Sequence, residues 1–95
     1  MTDIEVKEHL QSLIDDPACW PIDHMIAGDL LEAIRDTERQ ADSVKNRLYA
    51  AVERGDTLSA AICAANARQI LEVRRNAIAK ARRFYDCVQR REVTV

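Results

Sequence analysis

The sequence predicts an all-α fold organised around a long antiparallel helical hairpin. Two stretches, 22–54 and 57–91, carry apolar residues at helical spacing and contain no proline and, apart from Gly28, no glycine. Gly55 separates them, and a shorter periodic segment, 3–15, precedes them. We therefore expect one domain of 95 residues that dimerises into a helical bundle, with these parts: an N-terminal helix (3–15) packed on the open end of the hairpin, a connector (16–21), the hairpin itself (22–91) and a tail (92–95).

Capping signals define the ends of the predicted helices. Thr2 and Glu5 fit the S/T-x-x-E capping box, in which each side chain accepts a hydrogen bond from the backbone N–H of the other residue. Gly55 can end the second helix in the left-handed conformation, because it has no Cβ to clash. Asp56 or Thr57 can then cap the third helix with a side-chain oxygen.

Both long helices carry an apolar seam. The seam of the second helix alternates steps of three and four, as in a coiled-coil heptad, at Ala27, Leu30, Ile34, Thr37, Ala41, Val44, Leu48 and Ala51. The seam of the third helix is closer to an eleven-residue repeat, at Ile62, Asn66, Ile70, Val73, Ala77, Ala81, Phe84 and Val88. An eleven-residue period favours nearly straight packing. We expect the two seams to face each other across the hairpin.

The net charge of −2 hides a strong asymmetry along the chain. Residues 1–42 carry a net charge of −8, and residues 66–95 carry +5. An antiparallel hairpin sets the acidic second helix against the basic third helix, which gives three expected ion pairs: Asp29–Arg82, Asp36–Arg75 and Glu38–Arg74. Each exposed pair contributes under ~1 kcal/mol, but several together disfavour a parallel arrangement.

The tip of the hairpin is rich in alanine, which buries little apolar area. Leu48, Val52, Leu58 and Ile62 then lack cover within the chain, so we expect two hairpins to pack tip against tip as a homodimer. Asn66 falls on the apolar face of the third helix. It is either tolerated near an edge or pairs across the interface and fixes the register.

Two further features are candidates for binding a partner. Trp20, the only tryptophan, either plugs the joint between the first helix and the hairpin or is an exposed anchor. The third helix carries a basic stripe of Arg68, Arg75, Arg82 and Arg90. Such a stripe can follow the phosphates of a nucleic acid, but the acidic second helix and a pI of 5.6 favour internal ion pairs.

The sequence gives little support for a metal site, a cofactor or catalytic activity. His9, Cys19, His24 and Cys87 could approach one corner, but they lack the close spacing of zinc ligands, so we expect no metal and no other cofactor. No glycine-rich loop or nucleophile–base motif indicates an enzyme or a small-molecule substrate. Widely spaced cysteines, an acidic N-terminus and the lack of a long apolar run predict a cytoplasmic protein without a membrane span.

These observations favour a non-enzymatic protein that binds another macromolecule through a helical surface, as an adaptor, inhibitor or regulator of a protein partner. Two alternatives stay open. One is a regulator that binds RNA or DNA with the basic stripe of the third helix. The other is an acidic nucleic-acid mimic that uses the carboxylates of residues 1–42 to occupy a basic groove.

Overall fold

A computed structural model describes residues 1–94, with side chains described as far as Arg91. It contains three helices: α1 (Asp3–Asp15), α2 (Pro21–Glu53) and α3 (Thr57–Thr94). The long antiparallel pair α2–α3 with a short N-terminal helix packed on it confirms the predicted fold class. Over the described residues the molecule is a rod of 60 × 19 × 18 Å.

The helix ends lie within a few residues of their predicted positions. The capping box at Thr2 and Glu5 is complete, with Thr2 Oγ1 accepting from the Glu5 N–H at 3.2 Å. Pro21 begins α2, where its missing N–H costs no helical hydrogen bond. α3 continues to Thr94, so the predicted tail begins inside the helix, and Val95 lies outside the described residues.

The turn between α2 and α3 is a Schellman motif around Gly55. Gly55 has a φ of +70°, and its N–H donates to the Val52 carbonyl at 3.0 Å. The Asp56 N–H reaches back to the Ala51 carbonyl at 2.9 Å. Asp56 then caps α3, since its Oδ1 accepts from the Ser59 N–H at 3.0 Å. This bond and a second hydrogen bond from the Ser59 side chain lower the pKa of Asp56 below its ordinary value.

α1 covers only the base of the hairpin. It has 13 residues, or about 20 Å at 1.5 Å per residue, against a rod of 60 Å. Its buried face packs into a core formed by Val6, Leu10, Leu13, Ala27, Leu31, Ile34, Ile78, Ala81 and Val88. We call this three-helix part the base, and the remaining part, residues 39–73 with only α2 and α3, the distal half.

The seam of α2 is confirmed, whereas the seam of α3 is wrong in its first half. Every predicted seam position of α2 is buried or half-buried, but Ile62, Asn66 and Val73 of α3 are exposed. The inner face of α3 instead follows heptad steps, with these buried or half-buried members: Ala60, Ala64, Ala67, Arg74, Ile78, Ala81, Tyr85 and Val88. Alanines and one arginine make this seam weaker in the sequence than the apolar stripe beside it.

Gly55→Ala should destabilise the protein by about 1 kcal/mol or more, because alanine pays for positive φ even where its Cβ meets open space. Gly28→Ala is the matched control. Gly28 lies inside α2 and its added Cβ also meets nothing within 4 Å, so this change should stabilise by up to about 1 kcal/mol. Thermal melts followed by circular dichroism measure both, and superposable melts of Gly55→Ala and wild type would place the bend elsewhere.

Candidate functional site

One ionic cluster, which we call the polar cluster, joins the three helices near the N-terminal end of α1. Glu38 of α2 accepts from Arg74 Nη2 and from Lys7 Nζ, each at 3.0 Å. Arg74 of α3 also donates through Nη1 to Asp3 Oδ2 of α1 at 3.1 Å. Each helix therefore contributes at least one charged side chain, and the cluster fixes where α1 starts along the hairpin.

Charge and hydrogen bonding keep Glu38 ionised within this cluster. Partial burial acts to raise the pKa of Glu38, but hydrogen bonds from Lys7 and Arg74 and their positive charges outweigh it. The pKa of Glu38 is therefore held below its ordinary value. Both Glu38 and Arg74 are half-buried, so they bind each other inside the seam rather than in bulk solvent.

Of the three predicted ion pairs across the hairpin, the structure forms Glu38–Arg74. Among the described residues, the other two pairs do not form. Asp36 binds Arg39 at 3.5 Å on its own helix, and Arg75 binds Glu72 at 2.9 Å on its own helix. Pairs three residues apart on one helix are near neighbours, so they compete well with partners on another helix.

Arg82 also has a different partner from the one predicted. It was expected to bind Asp29 of α2. It donates instead to Asp3 of α1 at 3.3 Å and to the Met1 carbonyl at 2.8 Å. The prediction overlooked α1, whose N-terminus lies beside α3 and supplies the nearer acceptors.

The distal half exposes most of the residues predicted as a dimer interface. Leu58 is 72% exposed, Val52 61% and Ile62 53%, while Leu48 is half-buried. Asn66 is also exposed. Leu58 and Ile62 point away from the inner alanines of α3, so α2 cannot cover them. We call Leu58 and Ile62 the distal patch.

Trp20 lies at the opposite end of the rod and is 61% exposed, so the interpretation that it plugs the joint is wrong. The Arg91 guanidinium stacks over its ring at 5.1 Å, and Arg91 also donates to the buried Asp23 at 2.8 Å. The exposed Trp20 is consistent with the alternative interpretation, an anchor for a partner.

The sequence did not lead us to expect that the apolar residues next to Trp20 form an exposed surface. Ile22 lies one turn of α2 before Met25 and Ile26, and all three are exposed. Together with Trp20 they form what we call the base patch. None of these three residues belongs to the heptad seam of α2, and this could have indicated that they are exposed. The sequence interpretation took Met25 and Ile26 only as a widening of that seam.

The basic stripe is partly engaged within the molecule. Arg75 binds Glu72, Arg82 binds α1, Arg90 also takes part in an interaction, and Arg68 is exposed. Arg75 and Arg82 also line a groove of about 310 Å³ beside the N-terminus of α1, together with Asp3, Leu71, Arg74, Ile78 and Ala79. The carboxylate of Asp3 inside this groove reduces its attraction for a phosphate.

The corner considered for a metal holds its residues in other contacts. His9 stacks on Tyr85 with ring centroids 4.3 Å apart, and His24 Nε2 donates to the Asp16 carbonyl at 2.7 Å. Cys19 packs against the core. Among the described residues no group of three potential ligands is placed to hold a metal ion.

Comparison of the chain with protein-family models, with curated proteins and with solved structures finds no match. No helix in the part of the chain that the structure describes has the length and apolar character needed to cross a bilayer. The candidate site consists of the distal patch at one end of the rod and the base patch at the other.

A double-mutant cycle tests the polar cluster. Glu38→Gln and Arg74→Met should show a coupling of about 1 to 3 kcal/mol in the free energy of unfolding, as expected for half-buried hydrogen bonds between charged groups. The cycle of Asp36→Asn and Arg75→Met is the control and should couple by less than about 0.5 kcal/mol. Urea melts of the wild type, the two single variants and the double variant give the coupling in each cycle. Equal coupling in both cycles would contradict a direct interaction between Glu38 and Arg74.

Proposed function

We propose that the protein is a non-enzymatic binding protein that uses the distal half of its hairpin to bind another protein, and that its first partner is a second copy of itself. The observation that carries the proposal is the exposure of Leu58, Ile62 and Val52 where α1 no longer reaches. Large apolar side chains grouped on a narrow surface are typical of protein interfaces. As a homodimer or with a further partner, such a protein acts as an adaptor or inhibitor in the cytoplasm.

Ion pairs that the arginines form within the molecule favour a protein partner over a nucleic acid. Arg74 and Arg82 bind acidic side chains of the same molecule, so they are less available to phosphates. The acidic-mimic alternative weakens for the same reason, because Asp3 and Glu38 are already paired. Nucleic-acid binding keeps one supporting feature, the exposed Arg68 in the basic stripe, and is therefore the second candidate.

Sedimentation equilibrium tests the proposal. Wild type should sediment as a dimer at high micromolar concentration, and the double variant Leu58→Glu, Ile62→Glu should sediment as a monomer, because four carboxylates would have to be buried or brought together. Ile4→Glu is the control. Ile4 is also exposed but lies on α1, so this variant should remain dimeric.

Two outcomes would count against this function. A wild type that stays monomeric with full helicity would remove self-association. Binding of a labelled RNA hairpin or DNA duplex at low salt, lost on Arg68→Glu and Arg75→Glu, would favour the nucleic-acid regulator instead.

A further inference from the structure

We infer that the second copy packs antiparallel along the rod, so that the distal patch of each chain lies on the base patch of the other. This inference rests on the proposed self-association and replaces the expected tip-to-tip contact with an end-to-base contact. It assigns the base patch, Trp20, Ile22, Met25 and Ile26, as the surface that receives the distal patch. A two-fold axis near the polar cluster relates the two chains.

The spacing of the two patches from the polar cluster supports this axis. The Glu38–Arg74 pair sets these two residues at the same level of the hairpin. Ile62 is twelve residues from Arg74 toward the tip, and Ile26 is twelve residues from Glu38 toward the base, about 18 Å in each direction.

The second residue of each patch obeys the same relation. Leu58 and Ile22 are each sixteen residues from the pair, in opposite directions along the rod. A two-fold axis at the level of Glu38–Arg74 therefore exchanges Leu58 with the level of Ile22, and Ile62 with the level of Ile26. Leu58 with Ile62, and Ile22 with Ile26, each have the i, i+4 spacing of one helix face, so these two pairs span equal lengths along the rod.

The exposed stripe of α3 joins the patches across this axis. Ile62 and Val73 are eleven residues apart and share one exposed face of α3, whereas Phe84, a further eleven residues on, is half-buried against the core. Val73 is 57% exposed and lies next to the level of the axis. Successive residues of an α-helix are about 100° apart around its axis. Val73 is therefore turned about 100° away from its neighbour Arg74, which binds α1. Ile62 and Val73, which were predicted to face the seam within the chain, are thus available as part of a seam between two chains.

Charge complementarity favours an antiparallel rather than a tip-to-tip pair. The distal half, residues 39–73, holds five basic and four acidic side chains, a net charge of +1. The base, residues 1–38 and 74–91, holds nine basic and eleven acidic side chains, a net charge of −2. Tip-to-tip packing brings two positive ends together, whereas the antiparallel pair sets each positive end against a negative one.

Cross-linking between single cysteines tests the arrangement. In a background of Cys19→Ala, Cys63→Ala and Cys87→Ser, one chain carries Ile62→Cys and the other Ile26→Cys. Both new positions are exposed, so the fold should be retained, as circular dichroism checks. With a short bismaleimide linker, the mixture should yield the mixed 62–26 product in excess over either same-site product.

The alternative products separate this inference from the proposed function. A predominant 62–62 product would establish tip-to-tip packing and overturn the antiparallel arrangement while leaving self-association intact. If the wild type and the cysteine-free chain both sediment as monomers, the antiparallel arrangement and self-association are both overturned.

Neighbouring positions on α3 give a matched pair of variants. Val73→Asp should weaken the dimer at least about tenfold, because it places two carboxylates near the axis. Leu71→Asp should leave dimerisation unchanged, since Leu71 is 51% exposed but lines the groove beside α1 instead. Equal dissociation constants for the two variants, measured by sedimentation equilibrium, would contradict the proposed axis.

Discussion

The ion pair between Glu38 and Arg74 is the constraint on which the rest of the structure depends. Much of the seam between α2 and α3 is alanine, and alanine contacts alone discriminate poorly between one helical register and the next. A half-buried charge pair has only one register in which both charges are satisfied. Lys7 and Asp3 then complete the cluster and fix α1 to the same level. We regard the cluster chiefly as a device that sets register rather than as a large source of stability.

The position of this cluster divides the rod into two unequal environments. Below it, α1 supplies Val6, Leu10 and Leu13, and a continuous core forms. Above it, only α2 and α3 are present, and most of the half-buried side chains of α3 there are small: Ala60, Cys63, Ala64 and Ala67. Small side chains bury little area, so the distal half contributes less to stability per residue than the base. The uncovered apolar residues of this half are the physical basis for expecting a partner there.

The sequence predicted those features that depend on local chemistry. Thr2, Gly55 and Asp56 act within a few residues of themselves, and the structure places each in the expected capping role. The heptad seam of α2 was also readable, because Leu30, Ile34, Val44 and Leu48 mark it with larger apolar side chains. Long-range features were harder. The seam of α3 contains Arg74, which a hydrophobic pattern excludes, and its acceptable burial depends on Glu38, 36 residues away.

The candidate site was predicted in part for the same reason. Leu58 and Ile62 were recognised because an alanine-rich tip could not cover them. The base patch was missed because the exposure of Ile22 and Met25 depends on which side of α2 is occupied by α1 and α3, and no local pattern states this. Trp20 was an open choice between two interpretations, and its pairing with Arg91 came only from the folded arrangement.

Hydrogen exchange of the wild-type backbone at two protein concentrations tests most directly the claim that the distal half depends on a partner. In dilute solution, amides of residues 41–52 and 59–71 should exchange faster than those of residues 24–36 and 76–88, because fewer buried contacts oppose local opening. Raising the concentration should slow exchange mainly in the distal half, as a second copy covers it. Equal protection of both halves at every concentration would show that the distal half is stable alone and would contradict its dependence on a partner.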